Sequence, residues 1–400
     1  MHGSWLVSPA RTRGLRGDRR VGSAGMGSGR GNHRNHDYIH SYRTESQHER
    51  VADGATRSAG TGHAPDASGP KDDVSVRWKQ RIDTRLGPCY KPTPIVADGV
   101  VYGISEELLA IEAGSGKVLF RADRRSTTSP AMVPARAYRS PTLAFAARGG
   151  AVGLNAHGGP SFADIHIGMQ RWQAGQVGTG SPLLGGSSTT ASVGYDGTVF
   201  VASNELIAVD ASSGRVRWRS RDTRGGLSRP VVRDGTVYLG VYADGIHRYD
   251  GETGERAGSL PPPDSRVTSV TAAPDRLLVV ASDGLFGVGY DGTTQWQYAP
   301  ENIYLDGGRV AVADGVAYVG IEDLEATGNA ERNWLVAIDA TDGSELWRSE
   351  AAPMRSPQFA PPAIADGVIY IPAEEDGLAC VDATDGHVRW RFTSGDGLGP

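Results

Sequence analysis

The chain has 400 residues, with 55 glycines, 23 prolines, only two cysteines and a formal net charge of −5. Two cysteines are too few for a disulfide scaffold, and no window approaches the roughly 18 consecutive apolar residues of a membrane span. Because no collagen-like period accompanies the glycines, they indicate many turns between short strands, as in an all-β protein.

The first part of the chain, residues 1–73, is predicted to be a disordered tail. It is rich in Arg, Gly, His and Ser and has almost no apolar periodicity. Its run Arg11–Arg20 is interpreted as solvated charge, since no aromatic residues interleave it for base stacking. His33, His36 and His40 could gather a metal only on a preorganised backbone, which a tail does not offer. The apolar run within Met1–Ala10 is too short for a signal peptide, and a cluster of arginines follows it.

The remainder, residues 74–400, shows strand alternation and internal repeats. Val74–Lys79 alternates apolar and polar residues and contains a tryptophan, Trp78. Seven units follow, and six of them mark their first turn with an aspartate: Asp98, Asp196, Asp234, Asp275, Asp314 and Asp366. A spacing of about 40 residues is typical of the four-stranded blades of a β-propeller. An Asp-Gly pair at this turn supplies the positive φ angles of a tight hairpin.

The predicted fold is therefore an all-β propeller with seven four-stranded blades plus one orphan outer strand, Val74–Lys79. This count describes an eight-blade-like ring in which one blade is incomplete. We expect the open edges at the gap to favour self-association, because unpaired strand edges template further pairing. Residues 73–400 carry 30 Lys and Arg against 39 Asp and Glu. This acidic balance argues against a nucleic-acid partner.

A second pattern recurs at the end of most units, where an acidic residue is followed by Gly four residues later and by Trp or Phe eight residues later. The acidic positions are Glu112, Asp164, Asp210, Asp339 and Asp382. The glycines are Gly116, Gly168, Gly214, Gly343 and Gly386. The aromatic positions are Phe120, Trp172, Trp218, Trp347 and Trp390, with Trp78 and Trp296 as further members and Gly258 as a degenerate one. The acidic residue and the glycine are typical of a turn, and the aromatic ring could pack as a wedge between two blades.

This pattern resembles the tryptophan-docking motif of the pyrroloquinoline-quinone (PQQ) repeat propellers. Ala337, Asp339, Gly343 and Trp347 carry it most completely, and the similarity extends over about residues 74–396. That family includes quinoprotein alcohol dehydrogenases, the propeller lipoprotein of the outer-membrane β-barrel assembly machinery, and many envelope proteins. The resemblance implies an extracytoplasmic or cell-envelope location.

The same resemblance leaves two functions open. The enzymes of the family hold PQQ beside a disulfide between adjacent cysteines and over a bound Ca²⁺, whereas Cys89 and Cys380 are far apart in this sequence. We therefore predict a non-catalytic scaffold with no catalytic, cofactor-binding or metal-binding residues, and keep a PQQ-dependent dehydrogenase as the alternative. Partner proteins are expected at the loops Glu322–Asn333, Arg221–Gly226 and Pro261–Asp264.

Overall fold

The structure is a computed structural model, and it describes five parts of the chain: residues 4–7, 36–42, 68–72, 74–83 and 94–393. The last part has gaps at 105, 125, 127–128, 135–137, 148–149, 163–164, 175–190, 203–204, 222–227, 242–243, 262–265, 306–308, 324–332, 350–361 and 374–376. Within these described parts every regular element is a β-strand.

Seven antiparallel blades follow one another along the chain, each with four strands. Blade 1 contains β4 (Ile95–Ala97), β5 (Val100–Ile104), β6 (Leu108–Glu112) and β7 (Val118–Ala122). Blade 2 contains β8 (Ala131–Val133), β9 (Thr142–Ala147), β10 (Gly150–Asn155) and β13 (Gln170–Ala174), with an extra hairpin of β11 (Ser161–Phe162) and β12 (Ile165–His166). Blade 3 contains β14 (Ala191–Tyr195), β15 (Thr198–Ala202), β16 (Leu206–Asp210) and β17 (Val216–Ser220).

The second half of the chain repeats the same order of strands. Blade 4 contains β18 (Val231–Arg233), β19 (Thr236–Val241), β20 (Gly245–Asp250) and β21 (Arg256–Leu260). Blade 5 contains β22 (Val267–Ala272), β23 (Arg276–Ala281), β24 (Gly284–Gly289) and β25 (Thr294–Tyr298). Blade 6 contains β26 (Ile303–Tyr304), β27 (Ala311–Ala313), β28 (Val316–Asp323), β29 (Asn333–Asp339) and β30 (Glu345–Ser349), with β26 as an extra strand on β28. Blade 7 contains β31 (Ala363–Ala365), β32 (Val368–Ala373), β33 (Gly377–Asp382) and β34 (Val388–Phe392).

The predicted propeller of four-stranded blades is thus confirmed, and turn chemistry explains its hairpins. Asp98 and Gly99 have φ angles of 48° and 73°, and Asp196 and Gly197 repeat them at 44° and 75°. Both central residues of such a turn need positive φ, which Asp tolerates and Gly adopts freely. The turns between the first and second strands and between the third and fourth strands lie at one end of every blade, which we call the turn face. The opposite end is the loop face.

Alternate residues of each strand pack against opposite neighbours. In blade 3, Val199 and Val201 belong to a buried cluster shared with blade 2, whereas Phe200 and Ala202 belong to one shared with blade 4. A strand with period-2 side chains therefore buries both of its faces. The core of the protein consists of these layers between blades, which explains why no single blade is sufficient by itself.

The strand predicted before blade 1 is present and lies outside the seven four-stranded blades. It extends over β3 (Val76–Asp83), and it pairs with β2 (His36–Tyr42), which pairs with β1 (Ser4–Val7). Trp78 lies opposite Ser41, and the register shifts directly afterwards, as it does opposite Trp218 in blade 3. β1 and β2 lie within the predicted tail, and their pairing is non-local and leaves no periodic signal in the sequence.

Residues 68–72 and 74–83 contact both blade 7 and blade 1. The Trp390 indole N–H donates to the Pro70 carbonyl over 3.0 Å, and Lys71 Nζ lies 2.7 Å from an Asp366 carboxylate oxygen. Val74 and Val76 pack on the core of blade 7, and the Trp78 indole donates to the Ala113 carbonyl of blade 1 over 2.8 Å. These contacts cover part of the interval between blades 7 and 1, and self-association through open strand edges stays a prediction.

These contacts predict a sharp stability boundary inside residues 68–73. A variant lacking residues 1–73 should unfold with about 1–3 kcal/mol less free energy than one lacking residues 1–67, because it removes the acceptor of the Trp390 indole N–H. Urea denaturation of the two variants measures the difference. Equal stabilities would show that Pro70 does not contribute to closing the ring.

Candidate functional site

The recurrent acidic residues cap turns inside their own blades. Asp210 accepts hydrogen bonds from the backbone N–H groups of Ser212 and Ser213 and lies 2.6 Å from Arg217 Nη2. Desolvation at this site would raise the pKa of Asp210, but the hydrogen bonds from Arg217 and the two serines outweigh it and lower the pKa. Asp339 and Asp382 likewise accept from the N–H groups two residues ahead.

All but one of the recurrent glycines lie directly beneath an aromatic ring that precedes them in the chain. Gly214 has a φ of 73°, and a Cβ atom added there would be 2.6 Å from Trp172. Equivalent pairs are Gly116 with Trp78, Gly254 with Trp218, Gly343 with Trp296 and Gly386 with Trp347. A side chain at any of these positions would both strain the backbone and displace the ring.

Each of these indoles also donates a hydrogen bond to the next blade. Trp172, Trp218, Trp296 and Trp347 donate to the carbonyls of Ala211, Gly251, Ala340 and Ala383, over 2.7, 3.0, 3.0 and 3.3 Å. The acceptor is the residue that follows the capping aspartate. The Tyr318 hydroxyl donates to the Ala383 carbonyl as well, and burial raises the pKa of Tyr318 to about 12. Ring, glycine and carbonyl together form what we call the blade joint.

Two joints lack an indole and are built differently. In blade 1 the ring is Phe120, which has no N–H, and the Tyr102 hydroxyl donates instead to the Ala156 carbonyl over 2.8 Å. In blade 4, Gly258 replaces the tryptophan, and Leu260 packs against Gly292 of blade 5.

Blade 2 corrects one of the sequence assignments. Gly158, not Gly168, lies beneath Phe120, and Asn155 caps the turn by accepting from the His157 N–H. An added Cβ at Gly168 would meet nothing within 4 Å, so this glycine takes no part in the blade joint, and Asp164 lies outside the described residues. The inserted hairpin of β11 and β12 separates the turn from Trp172, which is why counting back from the tryptophan selected Gly168 instead of Gly158.

Blade 4 contains a polar cluster that the sequence analysis missed. His247 is fully buried, and its Nε2 lies 2.7 Å from Asp244 Oδ2 and 2.9 Å from Arg256 Nη2. Its Nδ1 lies 3.0 Å from the Tyr249 hydroxyl. A histidine within a strand gives no sequence signal of such partners, because they come from a loop and from the neighbouring strand.

The inserted hairpin of blade 2 is the most exposed apolar feature among the described residues. Phe162 is 79% exposed and Ile167 is 64% exposed, whereas the next most exposed large apolar side chains are Leu346 and Leu119. The hairpin connects the third and fourth strands and therefore projects from the turn face. Charged residues are sparse around it, since residues 156–169 contain only one, Asp164.

The loops at which partners were expected fall largely outside the described residues. Of Glu322–Asn333, Arg221–Gly226 and Pro261–Asp264, the structure describes only 322–323, 333, 221 and 261. Those expectations stay predictions. No helix in the described part of the chain is long and apolar enough to cross a membrane.

Metal-ligating side chains and cysteines bear on the alternative of a PQQ- and calcium-dependent enzyme. Within these parts of the chain, no group of three His, Cys, Asp or Glu side chains could hold a metal ion. Cys380 is a free, buried thiol in the core of blade 7, and Cys89 lies outside the described residues. Burial raises the pKa of Cys380 to about 12, so the thiol is not activated.

Comparison with known proteins decides the family. The model of the family of outer membrane protein assembly factor BamB matches residues 163–284 and 287–399, more than half of the chain. The chain belongs to this family. None of the curated proteins matches the sequence.

Solved structures show the same fold at low identity. BamB from Moraxella catarrhalis is 17% identical with a TM-score of 0.53, over 76% of this chain and 85% of that one. The quinohemoprotein alcohol dehydrogenase from Comamonas testosteroni is 14% identical with a TM-score of 0.55, over 76% and 67%. The computationally designed Ika8 protein is 13% identical with a TM-score of 0.55, over 75% and 85%. At such identities these structures support the propeller fold alone.

The blade joints predict a large cost for removing a ring. Trp218→Ala or Trp347→Ala should lower the free energy of unfolding by about 3–5 kcal/mol, because each leaves a cavity between blades and an unused carbonyl. Leu346→Ala, next to Trp347 but half exposed, is the matched control and should cost less than about 1 kcal/mol. Chemical denaturation measures all three. A loss under about 1 kcal/mol for both tryptophan variants would reject the role of the ring as a wedge.

Proposed function

We propose that the chain is a non-catalytic propeller scaffold of the cell envelope that binds a partner protein through its turn face. The observation that carries the proposal is the hairpin of blade 2, which holds Phe162 and Ile167 in solvent. Exposed apolar side chains gathered on one projection are typical of protein interaction sites. Membership in the BamB family supports binding to proteins and an extracytoplasmic location in general terms.

The recurrent residues support the same proposal because they already have structural roles. Asp210, Asp339 and Asp382 are engaged in capping turns, and the indoles are engaged in blade joints. Residues committed to the ring are poor candidates for chemistry. In the hairpin, His166 contacts the ring of Phe120 in blade 1, whereas Phe162 and Ile167 lie in solvent. Function in this fold is expected in such local additions rather than in the repeat itself.

A site-specific photo-crosslinker tests the proposal in cells. Placed at Phe162, it should capture a discrete partner protein, and the double variant F162E/I167E should abolish capture by a crosslinker placed at His157, on the same turn face. These substitutions should leave stability within about 0.5 kcal/mol, since both side chains lie in solvent. A crosslinker at Leu346, on the outer strand of blade 6, is the matched control. Equal capture at Phe162 and Leu346, or unchanged capture in the double variant, would contradict the proposal.

The alternative function, a PQQ-dependent dehydrogenase, is favoured only by the fold shared with quinohemoprotein enzymes. Incubation with PQQ and Ca²⁺ followed by desalting distinguishes the two proposals. We expect no quinone absorbance to remain with the protein, because the chain has no adjacent cysteines and the described residues form no metal-ligating group. Retained absorbance at one quinone per chain would favour the enzyme instead.

A further inference from the structure

One pair of opposed residues in blade 4 reverses the size order of the other blades. Elsewhere a small residue of the third strand lies opposite the aromatic residue of the fourth strand, in the pairs Ala110–Phe120, Gly153–Trp172, Ala208–Trp218, Gly287–Trp296, Ala337–Trp347 and Cys380–Trp390. In blade 4 the large residue is on the third strand, where Arg248 lies opposite Gly258. An arginine thus takes the small position, and a glycine takes the position of the ring.

The turn of blade 5 beside this pair keeps the acceptor of a blade joint. The Gly289 N–H donates to the Thr293 carbonyl over 2.8 Å, as the capping aspartate of blade 3 does across its own turn. Tyr290, which follows Gly289, therefore carries the carbonyl that accepts an indole N–H in the other joints. Arg248 Nη1 donates to this carbonyl over 3.5 Å, a longer bond than that of any described indole.

The guanidinium of Arg248 is partly exposed and incompletely bonded. Its Nη2 donates to the Ala257 carbonyl over 3.2 Å, and its Nε is buried without a hydrogen-bond partner among the described residues. A Cβ atom added at Gly258 would have a single described neighbour within 4 Å, Arg248 Nη2 at 3.7 Å. Glycine therefore leaves the guanidinium uncovered on this side, where a larger residue would enclose it.

A planar cation beside an open space is suited to an aromatic ring, because the ring face attracts the cation and stacks on its plane. Among aromatic side chains, indole also supplies an N–H donor for the Tyr290 carbonyl, which has two lone pairs and a weak internal donor. That carbonyl is on a fixed support. The Tyr290 hydroxyl donates to the Ala273 carbonyl over 2.6 Å, and the Arg233 guanidinium lies 5.4 Å from the centre of the Tyr290 ring.

We propose that Arg248, Gly258 and the Tyr290 carbonyl form a site for an exposed tryptophan side chain of a partner protein. The indole stacks on the guanidinium and donates to the carbonyl, so the partner supplies the ring that blade 4 lacks. The site lies between blades 4 and 5 and uses no residue of the hairpin in blade 2. Either proposal can therefore fail without the other.

Ligand-observed fluorine NMR tests the site with the full chain and N-acetyltryptophanamide that carries a fluorine on its indole ring. We expect saturable binding with a Kd on the order of 1 mM. Arg248→Leu and Arg248→Gln should each raise Kd about fivefold or more, because both remove the cationic plane. Arg219→Leu, which removes an outer-strand arginine paired with Glu205 in blade 3, is the matched control and should leave Kd unchanged.

Competition and the hairpin variant distinguish this site from other ways of binding the probe. Unlabelled N-acetyltryptophanamide should displace the probe, whereas the amides of N-acetylleucine and N-acetylaspartate should not. Equal displacement by either amide would overturn the proposal, because it would indicate a merely apolar surface or an anion site. An absence of saturable binding, or an unchanged Kd in both Arg248 variants, would overturn it as well. The variant F162E/I167E should bind the probe normally, and lost binding there would place the probe on the hairpin instead.

Discussion

The blade joint is the interaction on which the whole ring depends. An aromatic ring on the outer strand of one blade covers a glycine of the next, and its N–H reaches the carbonyl beside that glycine, as Trp172 does with Gly214 and Ala211. The joint combines apolar burial with a satisfied buried donor, and the capping aspartate holds the acceptor in place. Because the same geometry recurs between successive blades, the ring closes by repetition of a local contact rather than by a unique core.

The places where the joint changes show what it tolerates. Phe120 keeps the ring but not the donor, and the Tyr102 hydroxyl then uses the free carbonyl. At Gly258 the ring is gone, and blade 4 instead contains a buried cluster around His247. Between blades 7 and 1 the acceptor is Pro70, from a segment 320 residues away from Trp390 in the chain. The joint therefore requires that the turn be covered and that its carbonyl accept a hydrogen bond. Different residues can meet this requirement.

A ring held in this way leaves its two faces available for separate tasks. The turn face carries short, uniform turns, so the hairpin with Phe162 and Ile167 stands out as an addition to the repeat. At the loop face the chain passes from one blade to the next. An apolar projection of this kind suits a protein surface.

The sequence by itself determined the repeat, the strand alternation, the Asp-Gly turns and the positions of the tryptophans, because turn chemistry and a period of two are local properties. Only the tertiary structure decided that Gly158, rather than Gly168, lies in the joint of blade 2, where Asn155 caps the turn, since an insertion preserves spacing on one side only. The pairing of Ser4–Val7 and His36–Tyr42 with the strand of Trp78 was likewise invisible. Contacts between segments far apart in the chain depend on which surfaces meet in space, and no local pattern records that.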